Sequence, residues 1–105
     1  MGSGLQPAFA VRGEAQPPRI YEAGDAQIVL EIQDESSPTV HSLIGLILGV
    51  DSTGLTAHLW RGNDPIQSAA VDELGNFILV SIKPGNYELV ISNSELEIRI
   101  PSLDI

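Results

Sequence analysis

Short runs of alternating apolar and polar residues, each closed by turn-forming residues, are the feature that most constrains this chain. Ile28, Leu30 and Ile32 alternate with Gln27, Val29, Glu31 and Gln33, the period-two pattern of a half-buried strand. Asp34-Glu35-Ser36-Ser37-Pro38 breaks that run. Residues 39–50 are apolar at both parities, as expected of a central strand covered from two sides. After the turn Asp51-Ser52-Thr53-Gly54, Leu55, Ala57 and Leu59 alternate with Thr56, His58 and Trp60, and Arg61-Gly62-Asn63-Asp64-Pro65 closes that strand. A short strand over 66–71 leads into Asp72-Glu73-Leu74-Gly75-Asn76, read as a bulged hairpin with Gly75 in the left-handed conformation. Phe77, Leu79 and Ser81 then oppose Ile78, Val80 and Ile82. Lys83-Pro84-Gly85-Asn86 has the composition of a type II turn, Pro84 setting the first φ and Gly85 taking a positive one. Tyr87, Leu89 and Ile91 alternate with Glu88, Val90 and Ser92, and Leu96, Ile98 and Ile100 alternate with Glu95, Glu97 and Arg99. Pro101 has no N–H to donate, so it ends this strand or marks an edge, and a one-residue bulge there would return Leu103 and Ile105 to the face of Ile98 and Ile100. No stretch holds a 3.6-residue period through three turns. About seven strands with regularly spaced turns predict an all-β, two-sheet antiparallel sandwich.

The chain has 105 residues, enough for one domain, and 43% apolar against 18% charged residues suits a packed core. Residues 1–19 differ from the rest. They are rich in Gly, Ala, Gln and Pro, end in Gln16-Pro17-Pro18-Arg19, and read as an extended N-terminal linker or arm, leaving 20–105 as the sandwich. Within the arm Phe9-Ala10-Val11 is apolar enough to dock on a sheet, and a mobile arm is the equal alternative. Met1-Gly2-Ser3-Gly4 carries no cationic stretch followed by an apolar one, and reads equally as a cloning remnant. Asp+Glu 14 against Lys+Arg 5 gives a net charge of −9, which argues against nucleic acid and anionic membranes and favours a basic partner surface. No run reaches the roughly 18 apolar residues of a membrane helix, so no direct membrane insertion is expected. With no cysteine there is no disulfide framework, thiolate nucleophile or Cys-ligated metal.

Between 43 and 91 the ordered series Leu43-x-Gly45, Ala57-x-Leu59, Val71-Asp72-Glu73-x-Gly75-x-Phe77 and Ile82-x-Pro84-Gly85-x-Tyr87-x-Leu89 resembles the carboxypeptidase regulatory-like domain. The resemblance implies a seven-stranded prealbumin-like, transthyretin-like sandwich, typically non-catalytic and appended to a larger protein as a spacer, folding aid or binding module. It gives Gly75, Pro84 and Gly85 to turns and Phe77, Leu79, Leu89 and Ile91 to the inter-sheet core. Tyr87 should bury its ring while its hydroxyl finds a backbone partner. Pro18-Arg19-Ile20-Tyr21-Glu22-Ala23-Gly24-Asp25 is also similar to the lead-in of such domains at the C-terminus of bacterial anti-sigma-factor-like proteins. The extracytoplasmic side of a membrane is then the expected location for a fragment of such a protein, and the cytoplasm otherwise.

Relatives of this shape include enzymes, and their constellations are not reproduced. The hydroxyisourate hydrolases end in Tyr-Arg-Gly-Ser, whereas this chain ends Pro101-Ser102-Leu103-Asp104-Ile105. An intradiol-dioxygenase iron site needs two Tyr and two His; Tyr21, Tyr87, His41 and His58 lack that spacing. No nucleophile elbow accompanies the serines. Asp72-Glu73 offers two carboxylates, fewer oxygens than calcium requires. Lys83, the sole lysine, sits in a Pro-Gly turn, a poor place for an isopeptide bond. No enzyme activity, cofactor or metal is therefore expected. Trp60 and His58 lie opposite the Ala57/Leu59 stripe and form the candidate interface, for a protein partner or for self-association. The alternative is a carbohydrate- or small-ligand-binding module, for which the chain's few aromatics are a poor supply of sugar platforms.

Overall fold

The computed structural model describes residues 17–35 and 39–105, and they contain eight strands and no helix. The strands are β1 (Arg19–Ala23), β2 (Ala26–Asp34), β3 (His41–Leu48), β4 (Thr56–Arg61), β5 (Asp64–Ala70), β6 (Asn76–Ile82), β7 (Asn86–Ser92) and β8 (Glu97–Asp104). They form two antiparallel four-stranded sheets, the first in the order β1-β2-β3-β6 and the second in the order β5-β4-β7-β8. Alternation along each strand sends one set of side chains between the sheets. Ile28, Leu30, Leu43, Leu79 and Ile82 from the first sheet meet Leu59, Leu89, Ile91 and Leu103 from the second, all essentially without solvent contact.

The count is eight rather than seven because Arg19–Ala23 turns back through Gly24-Asp25 to pair with Ala26–Leu30 as a separate edge strand. The predicted arm falls mostly outside the described residues, as do Phe9-Ala10-Val11; Pro17 and Pro18 are exposed.

Four local expectations change. First, β3 is central in its sheet, yet only one face is covered among the described residues. Leu43, Gly45 and Ile47 are buried, Ile44 and Leu46 half-buried, and Leu48 exposed.

Second, β5 and β6 belong to different sheets, so 72–76 is a crossing rather than a hairpin. Gly75 does take the left-handed conformation, at φ 91°, and its carbonyl accepts the Ile47 N–H at 2.9 Å.

Third, Gly85 is not left-handed; it exchanges both backbone hydrogen bonds with Ile105, at 3.0 and 2.9 Å, which continues the β7–β8 ladder and leaves no type II turn at this residue.

Fourth, the alternation in β6 breaks at Ser81. This residue has φ 58°, and the β3–β6 register slips there, so Ile82 rather than Ser81 faces the core. Glu35 holds the bulge, since its carboxylate accepts the Ser81 N–H at 2.6 Å and the Ser42 hydroxyl at 2.7 Å.

The remaining particulars follow the alternation. Pro101 lies within edge strand β8, and the β7–β8 register shift beside it turns Leu103 into the core. Tyr87 buries its ring and donates its hydroxyl to the Lys83 carbonyl at 2.7 Å. Both flanks of the sandwich are clipped by side chains. The Gln67 amide on β5 donates to the Val80 carbonyl on β6 at 2.7 Å and accepts the Val80 N–H at 2.9 Å. On the other flank Arg19 on β1 donates to the Asp104 carbonyl on β8 at 2.7 Å.

Candidate functional site

Inward positions of β4, β7 and β8 are taken by the core, so the opposite parity builds the outer face of the second sheet. Register places Trp60 opposite Glu88, His58 opposite Val90, Val90 opposite Arg99, and Ser92 opposite Glu97. Together with Gly62 and Asn63 of the β4–β5 turn, these side chains line a shallow depression of about 430 Å³. Trp60 and His58 are half-buried, and Val90 is covered although it points outward, so it forms an apolar floor between them and Arg99.

The charged wall is self-paired. Arg99 donates from Nε to Glu97 at 2.7 Å and from Nη1 to Glu88 at 2.9 Å. These two carboxylates, Glu97 first, hold the guanidinium pKa above its ordinary value. Because Arg99 and Glu97 are exposed and Glu88 is partly so, the network contributes orientation more than stability. The site therefore offers an indole, an imidazole and a fixed guanidinium–carboxylate array, groups suited to recognition.

Other sequence candidates are dispersed. His41 lies on the first sheet, where its buried Nδ1 is 2.8 Å from the Asp34 carboxylate but makes no hydrogen bond, whereas His58 is on the second. Tyr87 is in the core and Tyr21 is packed against its edge. Asp72 spends its carboxylate on its own turn, accepting the N–H groups of Leu74 at 2.9 Å and Asn76 at 2.8 Å. These bonds, that from Asn76 foremost, pull its pKa below the usual carboxylate value. Among the described residues no group of three or more His, Asp and Glu is placed to hold a metal ion. Nor is any helix long and apolar enough to cross a membrane.

Sequence parity singled out Trp60 and His58. It did not single out Glu88, Val90 and Arg99, which reach them only through the β4–β7–β8 register. A signal was present in the outward parity shared by Glu88, Val90 and Ser92. Compared with known proteins, the chain matches no family model, no curated protein and no solved structure.

Proposed function

We propose that this chain is a non-catalytic protein-interaction module of the carboxypeptidase regulatory-like kind, appended to a larger bacterial protein, with the Trp60 face of the second sheet as its interface. The observation that carries this reading is the half-buried indole of Trp60 beside an apolar floor and a pre-oriented Arg99. Interface hot spots draw on Trp and Arg in this setting, because both bury large areas with little further ordering. The appended-module resemblance and the net charge of −9 add a partner with basic groups near its contact surface. A sugar platform is less well supported, since among the described residues Trp60 is the one Trp, Tyr or Phe ring on this face.

The test replaces His58 with a photo-crosslinking residue in the native host, alone and combined with Trp60→Ala. A discrete crosslinked protein that disappears with Trp60→Ala is expected, while light scattering reports the mass of the isolated chain. Identical crosslinks with and without the indole would remove Trp60 as the anchor. Binding on a glycan array would favour the sugar-binding alternative.

A further inference from the structure

We propose that the outer face of the first sheet is a second docking surface, built for a cationic amphipathic helix of a partner polypeptide. It lies on the opposite side of the sandwich from Trp60 and does not depend on that site.

Seven outward positions of the first sheet carry aliphatic side chains, set among the polar Gln27, Glu31, Gln33 and Asn76. Ile20, Leu48, Ile78 and Val80 are between 42% and 59% exposed, and Val29, Ile44 and Leu46 are half-buried between them. Register brings these residues into one field. Val29 pairs with Leu46 and Ile20, and Ile44 pairs with Ile78. A hollow of about 250 Å³ opens at its centre, lined by Val29, Ile44, Leu46, Asn76 and Glu31 over the Gly45 backbone. Apolar patches of this extent mark interaction sites, and a central hollow is where one partner side chain would seat.

Charge and area identify the occupant. Glu31 stands beside Ile44 inside the aliphatic field, Glu22 lies on the same face of β1, and among the described residues no lysine or arginine projects from this face. Arg19, the only cation on these strands, shares the inward parity of Leu30 and reaches across to β8. The surface therefore asks for apolar groups flanked by cations. A second copy fits poorly. Two chains of net charge −9 would bring acidic faces together. Four strands about 4.8 Å apart and, at 5 to 9 residues, roughly 17 to 30 Å long give a face of roughly 460 Å², short of the roughly 800 Å² that each partner contributes to a standard interface. One helix of about 18 residues matches the ~26 Å length of β3, and its apolar stripe can lie along Ile44, Leu46 and Leu48. An apolar side chain would enter the hollow, with a neighbouring Lys or Arg paired to Glu31.

The experiment titrates the full chain with a synthetic amphipathic peptide of about 18 residues, its leucine stripe flanked by lysines, and follows methyl and amide chemical shifts. A scrambled peptide of the same composition and a version with Glu for Lys are the controls. Shifts concentrated at Ile44, Leu46 and Ile78 are expected, with both controls binding about tenfold weaker or worse. Glu31→Lys should weaken the lysine peptide about tenfold and Glu31→Gln about threefold, and Trp60→Ala should leave binding unchanged. Ile78→Gln, a substitution at an exposed position, should weaken it about fivefold through lost apolar burial. Equal binding of the scrambled peptide, or shifts centred on Val90 and His58, would overturn the proposal. So would a wild-type dimer that Ile78→Gln dissociates, since the occupant is then a second copy. Peptide binding seen only after deletion of residues 1–16 would also overturn it, because the chain's own N-terminal segment is then the occupant.

Discussion

Gly75 and Gly85 look alike in the sequence, each beside an asparagine in a turn, yet they do different work. Gly75 has φ 91°, and an added Cβ would run into the Ile47 carbonyl, so both conformation and space exclude a side chain. At Gly85 φ lies outside the left-handed region, the backbone is paired with Ile105, and a Cβ would meet only the Tyr87 ring edge at 3.4 Å and the Arg61 guanidinium at 3.7 Å. Gly75→Ala should therefore cost about 1–3 kcal/mol from φ alone, with more from the carbonyl collision. Gly85→Ala should change stability by less than about 1 kcal/mol, because the new residue can adopt the native conformation. Urea unfolding of the two variants decides the matter; equal losses would mean that Gly85, like Gly75, is held in a conformation that only glycine tolerates. Gly45 is constrained differently, since its missing Cβ leaves room for the Phe77 ring to pack against the β3 backbone.

Among the elements, side chains clip one sheet to the other at both flanks, in addition to the connections between strands. Gln67 supplies the Val80 backbone with the donor and acceptor that a neighbouring strand would otherwise provide, and in doing so covers part of the free edge of β6. Gln67→Ala removes both bonds, each worth about 0.5–1.5 kcal/mol, so the Val80 amide should exchange with solvent roughly ten- to a hundredfold faster. The Leu89 amide in the centre of the second sheet should barely change. An unaltered Val80 exchange rate would show that the clip contributes nothing.

These clips mark the limit of what alternation reveals. Strands β2, β3, β4, β6, β7 and β8 are legible because their inward positions are mostly large and apolar, whereas β5, with Gln67 and Ala69 inward and Ile66 outward, is legible only from the turns that flank it. β1 is not, because its inward positions carry Arg19, Tyr21 and Ala23 while Ile20 points out, which inverts the usual pattern. The Ser81 bulge is hidden for another reason. The local pattern runs on unbroken, and the group that holds the bulge, Glu35, lies 46 residues away in sequence. On the candidate site, the parity of Trp60 and His58 was readable, whereas their neighbours across β7 and β8 depended on a register that turn composition does not specify.

At the scale of the whole molecule, two electrostatic effects of opposite sign act on stability. Glu35, Asp51 and Asp72 are carboxylates whose pKa values are lowered by local hydrogen bonds: the Ser81 backbone N–H first for Glu35, the Thr53 hydroxyl for Asp51, and the Asn76 backbone N–H for Asp72. In each case the folded state binds its proton less readily than the unfolded chain does. Their contribution is therefore complete above the unfolded carboxylate range near pH 4, and is lost as pH falls through the lower folded-state values. Against this runs the self-repulsion of a chain with net charge −9, which weakens as carboxylates begin to protonate below neutrality. The urea midpoint should accordingly rise modestly from pH 7 to about 5, then fall steeply below about 4. Added salt, by screening the repulsion, should raise the midpoint at pH 7 and flatten the rise between pH 7 and 5, while leaving the acid limb largely intact because hydrogen-bonded contacts are short-range. Asp72→Asn, which retains an acceptor oxygen but cannot ionise, should show a shallower acid limb than the wild-type chain. A midpoint that continued to climb down to pH 3 would mean that global repulsion outweighs all three local networks, and that the carboxylate of Asp72 is dispensable to the crossing between the sheets.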